Sequence, residues 1–376
     1  MTRVAVLAAL VAGLALVACA PAEQESPAPP AAESVQERLD ALQRELPDVA
    51  GFAIWLRSDD GSVSTGATGV ADPTGRRMSN DTPVRLASIT KTLVAATVLR
   101  LWEQDKIDLD APIGQLISAP HIALLQTDGY ETDRITVRHL LMHAGGLADH
   151  AQTPAFLDKV VSRPDHIWTR AEQVQLLVDA TEPLSAPGES YSYSDTGYIL
   201  LGEIIETITK RPLAEAVRQQ ARLEEIGLAD VLWEGTQGAD RPTPQRAHQW
   251  YGDIDTFVFN GSLDSFGGGG LIASAEQTGR FFAALFDGDV FDRESTLTLM
   301  TEAPGHPDDS PYRIGLFEFE VGDAPAFGHS GFWGTDVFVI PSRGVVVSGV
   351  SLNNEGFRSL RALELELVSS LPATPN

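Results

Sequence analysis

Residues 86–92 read Leu-Ala-Ser-Ile-Thr-Lys-Thr, and they place Ser88 three positions before Lys91. Apolar side chains recur at helical spacing through the next dozen residues, which predicts that Ser88 lies at a helix N-terminus. Free backbone N–H groups at such a terminus favour negative charge on a nearby oxygen. Side chains three apart on a helix share one face, about 5–6 Å apart at Cβ. Lys91 is therefore predicted to contact the Ser88 hydroxyl; the alternative is a capping serine followed by a solvated lysine.

Lys91 accepts a proton from Ser88 only if its pKa falls well below the usual value of about 10.4. Burial among apolar neighbours lowers the pKa of a lysine, and Leu86, Ile89 and Leu93 are placed to bury this one. The chain has only four lysines, and Lys91 alone has a serine three positions before it. This pattern favours a serine nucleophile with a lysine partner.

Tyr193-Ser194-Asp195 forms a second candidate motif, and it is followed by a strongly apolar helical stretch. A phenol beside an ammonium group ionises more readily, so Tyr193 is suited to exchange a proton near Lys91. Because tyrosine clusters in loops also serve for packing alone, this motif is weak by itself.

A third motif, His329-Ser330-Gly331, opens a predicted strand. Glycine there lets a substrate backbone approach the strand edge and pair with it. A competing hypothesis makes Ser330 the nucleophile of an α/β-hydrolase elbow. That motif requires a glycine where Phe332 stands and a histidine after the serine, yet His329 is the last histidine of the chain. The elbow hypothesis is therefore rejected.

Three other patterns were weighed as metal or phosphate sites. His139 and His143 lie four apart on a predicted helix, but Leu140 stands where a zinc protease carries glutamate, so His143 is interpreted as a structural loop residue. The glycine run at 267–270 lacks the lysine of a phosphate-binding loop and predicts a turn with close packing. Residues 59–61 form a hairpin turn without the later glutamate of a calcium loop. We predict no metal and no cofactor.

The pattern of strands and helices predicts an α/β fold of the α+β type. A helix is predicted at 34–46, a hairpin at about 50–69, two further strands at about 334–354 and a helix at 355–370. Strands near both ends predict an antiparallel sheet flanked by terminal helices. The region from about 105 to 260 is predicted to be a mostly helical insertion.

Residues 1–18 combine an early arginine with an apolar run too short for a membrane span, which predicts an export signal. The end of the run resembles the bacterial lipobox, in which cleavage leaves Cys19 as an acylated N-terminus. The alternative is an ordinary signal peptide with an incidental cysteine. Residues 19–33 predict an extended linker rich in proline and alanine, and the domain is expected at 34–372. We expect an exported bacterial lipoprotein, anchored to a membrane and facing the periplasm or cell exterior.

The charge of the chain argues against a nucleic-acid partner. Lys and Arg number 27 against 52 Asp and Glu, which gives a formal charge of −25. A surface that binds phosphates needs the opposite balance. Hydrophobic residues make up 43% of the chain, a proportion typical of a globular protein with a large core.

Taken in order, the three motifs resemble those of the penicillin-recognising serine hydrolases, which include class C β-lactamases, D-alanyl-D-alanine carboxypeptidases and family VIII carboxylesterases. The resemblance covers nearly all of residues 35–372. It includes TVRHLLMHAGGL at 136–147 and GGGGLIASAEQTGRFF at 267–282. It implies a β-lactamase/transpeptidase-like fold and catalysis through an acyl-enzyme.

The resemblance also implies roles for individual residues. Ser88 would be the acylated nucleophile, with Lys91 and Tyr193 as its proton-transfer partners. The oxyanion hole would be formed by the backbone N–H groups of Ser88 and Phe332. The implied substrate-binding residues are Asp195, His329, Ser330, Gly331 and Phe332. Asp195 departs from the family pattern, which usually has asparagine there, and it offers no amide donor.

The expected substrate is a small ester or amide. A carboxypeptidase or β-lactamase must hold a substrate carboxylate, and His329 does this well only when protonated, with an ordinary pKa near 6.5. D-Ala-D-Ala carboxypeptidase or class C-like β-lactamase activity on a peptidoglycan-type substrate is the first alternative. A non-catalytic penicillin-binding or sensor protein is the second, and the intact Ser88, Lys91 and Tyr193 argue against it. The membrane is the other expected partner, through the lipid on Cys19.

Overall fold

The computed structural model describes residues 34–180, 182–234, 245–308 and 310–371. The predicted signal peptide, Cys19 and the linker at 19–33 lie outside these residues. From residue 34 onward the described chain packs as one unit. No helix within the described ranges is long and apolar enough to cross a lipid bilayer.

Helices and strands alternate along the described chain. The helices α1 to α11 span Val35–Glu45, Thr90–Glu103, Ala119–Thr127, Val137–Leu141, Pro154–Ser162, Arg170–Ala180, Asp195–Thr209, Leu213–Gln220, Ala275–Asp287, Glu294–Glu302 and Phe357–Ser370. The strands β1 to β11 span Gly51–Arg57, Val63–Gly69, Val84–Arg85, Leu232–Trp233, Trp250–Tyr251, Ile254–Asp255, Leu271–Ala273, Phe317–Val321, Ala324–Gly331, Thr335–Ile340 and Val345–Ser351.

The main sheet is antiparallel, and its described strands run in the order β2-β1-β11-β10-β9-β8. Strand β1 pairs with β2 through a hairpin and with β11, so that Phe52 lies opposite Ser351. Strands from both ends of the chain therefore meet at the centre of the sheet. The predicted hairpins and the α+β architecture are confirmed.

Helices cover both faces of this sheet, as alternate residues of β1 show. Phe52 and Ile54 pack with α1 and α11, whereas Ala53 and Trp55 belong to the larger core that includes α2 and α9. Gly279 of α9 lies so close to the Trp55 ring that a Cβ would stand 2.2 Å from it. Only glycine allows α9 to approach the sheet this closely.

The insertion between residues 105 and 260 is mostly helical, and its described elements are α3 to α8 with the short strands β4 to β6. Helix α7 is buried over most of its length and packs against α2, α4 and α8. A small sheet in the order β3-β7-β4 ties the insertion to the segment that leads into Ser88. The predicted helical insertion is therefore present, and through this small sheet it packs against the segment that precedes α2.

Helix α4 is short, and His143 lies in the loop that follows it, as its interpretation as a structural loop residue required. Helix α4 stops at Leu141, so His139 and His143 do not share a helix face. His143 is buried with a left-handed φ of 53°, and its Nδ1 accepts a hydrogen bond from the Ser194 N–H at 3.1 Å. This tertiary contact holds His143 in a loop conformation, which the local spacing of histidines does not reveal.

Glu364 of α11 makes the fold pH-dependent. Its side chain is fully buried, and neither carboxylate oxygen has a hydrogen-bond partner in the described structure. Oε1 lies against Gly349, where a Cβ would stand 1.9 Å from it. Burial, and then the neighbouring Asp336 carboxylate, raises the pKa of Glu364 well above its ordinary value. Glu364 therefore keeps its proton to a higher pH in the folded protein than in the unfolded chain.

We expect Glu364→Gln to be more stable than the wild type at pH 8 and to lose that advantage near pH 4. Above the ordinary glutamate pKa of about 4.3, the folded state holds a proton that the unfolded state releases, so wild-type stability falls as pH rises. Glutamine has no such proton, and we expect a gain of about 1–3 kcal/mol at pH 8. Urea unfolding at both pH values measures it, with the exposed Glu320→Gln as control. A gain independent of pH would contradict the protonated state of Glu364.

Candidate active site

Ser88 lies in a strained turn at the start of α2. The turn is a 3₁₀ segment, Ala87–Ile89, and Ala87 has a φ of 47°, a left-handed value that is uncommon for a residue with a Cβ. Leu86 fixes the turn from both sides: its N–H donates to the Leu271 carbonyl at 2.9 Å, and its carbonyl accepts from Thr335 Oγ1 at 3.0 Å. Strands β7 and β10 thus hold the half-buried Ser88 hydroxyl in place.

Lys91 is fully buried and faces Ser88, as their spacing predicted. Its Nζ donates to Ser88 Oγ at 2.9 Å and to the Gly268 carbonyl at 2.6 Å. It also forms an ion pair with Asp195 Oδ1 at 2.5 Å. Three acceptors therefore surround the ammonium group, and they fix its position relative to the Ser88 hydroxyl.

The pKa of Lys91 is raised and not lowered as a lysine base would require. Burial alone lowers the pKa, as expected, but the Asp195 carboxylate and the Tyr193 phenol more than offset this effect. The pKa of Lys91 consequently lies above its ordinary value, so the side chain is a stable cation at neutral pH. The apolar neighbours could be predicted from local sequence, whereas the effect of Asp195, 104 positions away, depends on the tertiary fold.

Tyr193 is placed beside Ser88 and Lys91 by the loop that precedes α7. Ser194 caps this helix, and its N–H bonds to His143. The His143 ring packs on the Tyr193 ring with centroids 4.2 Å apart, while Lys91 Nζ lies 5.0 Å from the centre of the Tyr193 ring. Burial raises the pKa of Tyr193, although the positive charge of Lys91 acts against this increase. Tyr193 is therefore a neutral phenol at neutral pH.

Three carboxylates lie close to Ser88. Asp195 starts α7 and pairs with Lys91, and the Asp195 N–H donates to Asp149 Oδ1 at 3.2 Å. Burial, and then repulsion from Asp195, raises the pKa of both Asp149 and Asp264, to about 7 for Asp264. Sequence analysis missed Asp149 and Asp264, because neither belongs to a recognisable motif and only the fold brings them together.

The glycine run at 267–270 allows the side chains of Asp195 and Asp264 to lie directly against the backbone. A Cβ at Gly268 would lie 3.4 Å from the Asp195 side chain, and a Cβ at Gly269 would lie 2.0 Å from the Asp264 carboxylate. The run is a tight turn with close packing, as predicted, and φ at Gly267 and Gly270 is positive. Its Gly268 carbonyl is one of the three acceptors around Lys91.

His329 lies behind the site rather than on its surface. It is buried, its Nε2 is 3.1 Å from the Tyr312 hydroxyl, and its Nδ1 is 2.8 Å from the Ser330 carbonyl. Burial, and then the nearby Lys91 charge, lowers the pKa of His329 to about 3. His329 is thus neutral at pH 7. Tyr312, which the sequence analysis did not identify, fixes its orientation.

The end of β9 reaches the Ser88 turn. At Gly331 a Cβ would stand 2.1 Å from the Leu86 carbonyl, so a larger residue would push the strand away from Ser88. Ser330 is half-buried on this strand. Phe332 is the first residue after the strand, and its side chain is exposed. The N–H groups of Ser88 and Phe332 make no hydrogen bond within the described chain. Both are therefore available to bind an oxyanion.

A cavity of about 480 Å³ opens beside the Ser88 hydroxyl. Its walls come mainly from the loop before α5, from α5 itself and from the segment before the glycine run. The lining is largely apolar and aromatic: Ala87, Ala151, Phe156, Leu157, Val160, Tyr193, Ile199, Tyr251, Leu263, Phe266, Phe332 and Trp333. Its charged lining residues are Asp149, Asp195 and Asp264. The cavity can hold an apolar acyl group next to the nucleophile.

The site can carry out acyl transfer. It combines an accessible hydroxyl, a fixed ammonium group that hydrogen-bonds to it, a phenol and two free N–H groups, which are the components that such a reaction requires. Within the described ranges, no group of three or more His, Cys, Asp or Glu side chains is arranged to hold a metal ion.

Comparison with known proteins gives a consistent result. Residues 39–367 match the family model described as Beta-lactamase. The chain is 37% identical over 199 residues to esterase EstB of Burkholderia gladioli, which covers 50% of this chain and 48% of the relative. It is 22% identical over 216 residues to the D-alanyl-D-alanine-carboxypeptidase/endopeptidase AmpH of Escherichia coli, covering 57% of this chain and 52% of the relative. The chain spans about half the length of these curated relatives.

A solved structure extends the likeness over nearly the whole domain. A D-stereospecific amidohydrolase from Streptomyces sp. superimposes with a TM-score of 0.75 at 26% sequence identity. The match covers 89% of this chain and 98% of that one. The likeness therefore extends beyond the segments shared with the curated relatives.

Proposed function

Because this chain belongs to the beta-lactamase family, we propose that it is a serine hydrolase that cleaves small esters or amides through an acyl-enzyme on Ser88. The observation that carries the proposal is the 2.9 Å hydrogen bond from Lys91 Nζ to Ser88 Oγ at the edge of an apolar cavity. Ser88 attacks the substrate carbonyl carbon, and the N–H groups of Ser88 and Phe332 bind the resulting oxyanion. The alcohol or amine leaves, and water then hydrolyses the acyl-enzyme.

The proton of Ser88 moves through Lys91: Lys91 gives one of its protons to the paired Asp195 carboxylate and takes up the proton of Ser88, so that the net acceptor is Asp195. The same proton later returns to the leaving group. Lys91 is charged and Tyr193 is neutral in the resting site, so their first contribution is to hold the hydroxyl and stabilise negative charge on its oxygen. The charge of Asp195 governs how readily Lys91 takes the proton, because it keeps Lys91 protonated. Tyr193 is placed to return a proton to the leaving group.

Neutral substrates fit this site better than carboxylates do. His329 is uncharged at neutral pH and lies outside the cavity lining, whereas three aspartates belong to that lining. A substrate carboxylate would meet repulsion from these aspartates. This observation disfavours a D-Ala-D-Ala carboxypeptidase or β-lactamase. A non-catalytic sensor is disfavoured because the nucleophile and its partners are in place. The names of EstB and the Streptomyces amidohydrolase support ester or amide hydrolysis.

A substrate panel tests this proposal directly. The purified protein is assayed with a p-nitrophenyl ester, a chromogenic cephalosporin and a D-Ala-D-Ala peptide, and its labelling by a fluorophosphonate is measured. We expect labelling together with a kcat/KM that is highest for the ester. Preference for the cephalosporin or the peptide would favour the alternative substrates, and absence of both labelling and turnover would favour the sensor.

We also propose that the protein is an exported lipoprotein anchored through Cys19, because the apolar run before it resembles a lipobox. Replacing Cys19 with serine is expected to move the protein from the membrane fraction to the soluble fraction of a bacterial host. Fractionation with immunoblotting measures the distribution, and mass spectrometry of the N-terminus detects the acyl groups. A wild-type protein that is unacylated and soluble would refute the anchor.

A further inference from the structure

Asp264 is the one acid of the cavity without a partner in the described structure. Asp195 is paired with Lys91, and Asp149 accepts from the N–H groups of Ala151 at 3.0 Å and Asp195 at 3.2 Å. The Asp264 carboxylate makes no hydrogen bond or ion pair with any described residue, and it lines the cavity beside Ser88. A carboxylate in a largely apolar cavity is costly unless a cation or a donor meets it.

The charged groups around Asp264 do not neutralise it. Lys91 and Arg85 are the two cations that act electrostatically on the Asp264 carboxylate. Each is already paired with another acid: Lys91 with Asp195, and Arg85 with Glu234 at 2.5 Å. Asp195 and Glu234 add negative charge at the same place. A positive group entering the cavity would therefore be attracted to Asp264.

Asp264 is also close to the reacting atoms. Its carboxylate lies against Gly269, and the preceding Gly268 carbonyl accepts from Lys91 Nζ at 2.6 Å. Lys91 in turn contacts Ser88 Oγ. In an acyl group bound to Ser88, a substituent one carbon away from the carbonyl would face this part of the cavity, and the apolar walls of Phe156, Leu157 and Trp333 would remain for a side chain.

From this geometry we propose that Asp264 binds the α-ammonium group of the acyl part of the substrate. The preferred substrates are then esters or amides of α-amino acids with apolar side chains. This proposal rests on the proposed serine hydrolase activity at Ser88, and it assigns to Asp264 the selection of the substrate rather than a role in proton transfer.

Two esters that differ only in the ammonium group test the assignment. Phenylalanine methyl ester, as each enantiomer, has the group, and methyl 3-phenylpropanoate has hydrogen in its place. The wild type at pH 7 should prefer one phenylalanine ester over the uncharged ester in kcat/KM. Asp264→Asn should lower that ratio by about tenfold or more, since a hydrogen bond to a charged group is replaced by a neutral contact. The exposed Asp253→Asn removes the same charge outside the cavity and should leave the ratio unchanged.

The outcomes separate the possible failures. If Asp264→Asn lowers kcat/KM equally for both esters, Asp264 is structural. If the variant hydrolyses both esters as the wild type does, Asp264 does not contact the ammonium group. Either result overturns the proposal. Turnover of the uncharged ester confirms that the variant is folded. If Ser88→Ala still hydrolyses the uncharged ester, the proposed nucleophile is wrong, whatever the effect of Asp264→Asn.

Discussion

Ser88→Ala is expected to abolish covalent labelling by a fluorophosphonate and to lower kcat for a p-nitrophenyl ester by about four to six powers of ten. The loss is large because the hydroxyl, Lys91 and Tyr193 act as a unit, and removing the nucleophile leaves only the oxyanion hole and substrate binding. Gel fluorescence measures the labelling and steady-state kinetics measure the rate. Circular dichroism shows whether the variant is folded, and the small substitution at a half-buried position predicts that it is.

Ser330→Ala is the matched control for this experiment. Ser330 is the other serine of a candidate motif, and it lies on β9 rather than at the start of a helix. We expect this variant to keep its fluorophosphonate labelling and to lose only part of its turnover. Labelling that survives in Ser88→Ala and disappears in Ser330→Ala would reverse the assignment of the nucleophile.

Asp195→Asn is expected to shift both the substrate preference and the pH dependence. Without the carboxylate, burial is the dominant effect on Lys91, so its pKa falls and it accepts a proton from Ser88 more readily. Asparagine also supplies an amide donor for an acyl carbonyl and removes a negative charge that repels acidic substrates. Turnover of a cephalosporin or a D-Ala-D-Ala peptide should rise relative to the p-nitrophenyl ester by about one to two powers of ten.

The pH profile provides a second readout for Asp195→Asn. Asp195 contributes to the raised pKa of both Asp149 and Asp264. Its removal should lower those pKa values and move the acidic limb of the kcat/KM profile to lower pH. Equal effects on all three substrates with an unchanged profile would show that Asp195 is only structural. Asp253→Asn serves again as the control for the loss of one charge.

The part of the site that local geometry determines could be predicted from the sequence. Ser88 and Lys91 are three residues apart, and helix geometry alone brings such a pair into contact. Tyr193 and Phe332 could be placed only through the resemblance to a family, because no local rule connects positions more than a hundred residues apart. The sheet was predictable because its strands alternate with clear turn signals at both ends of the chain.

Electrostatic properties could not be predicted in the same way. The pKa of Lys91 depends on an acid supplied by α7, and the state of Asp264 depends on the glycine run and on Asp195. His143 was interpreted as a structural loop residue, but its hydrogen bond with the Ser194 N–H, which holds it beside Tyr193, could not be predicted from the sequence. Each property results from contacts between distant segments, and a single sequence carries no direct record of them.

The pairing of β1 with β11 also sets the order in which activity is acquired during synthesis. Phe52 lies opposite Ser351, and the Ser88 turn is held from the far side by Thr335. A growing chain must therefore emerge from the ribosome almost to its C-terminal helix before the central strands can join. Such long-range pairing also makes folding slow. A nascent or truncated chain that ends before β10 has Ser88 and Lys91 but lacks Thr335, which holds the Ser88 turn through the Leu86 carbonyl, and we expect it to be catalytically silent.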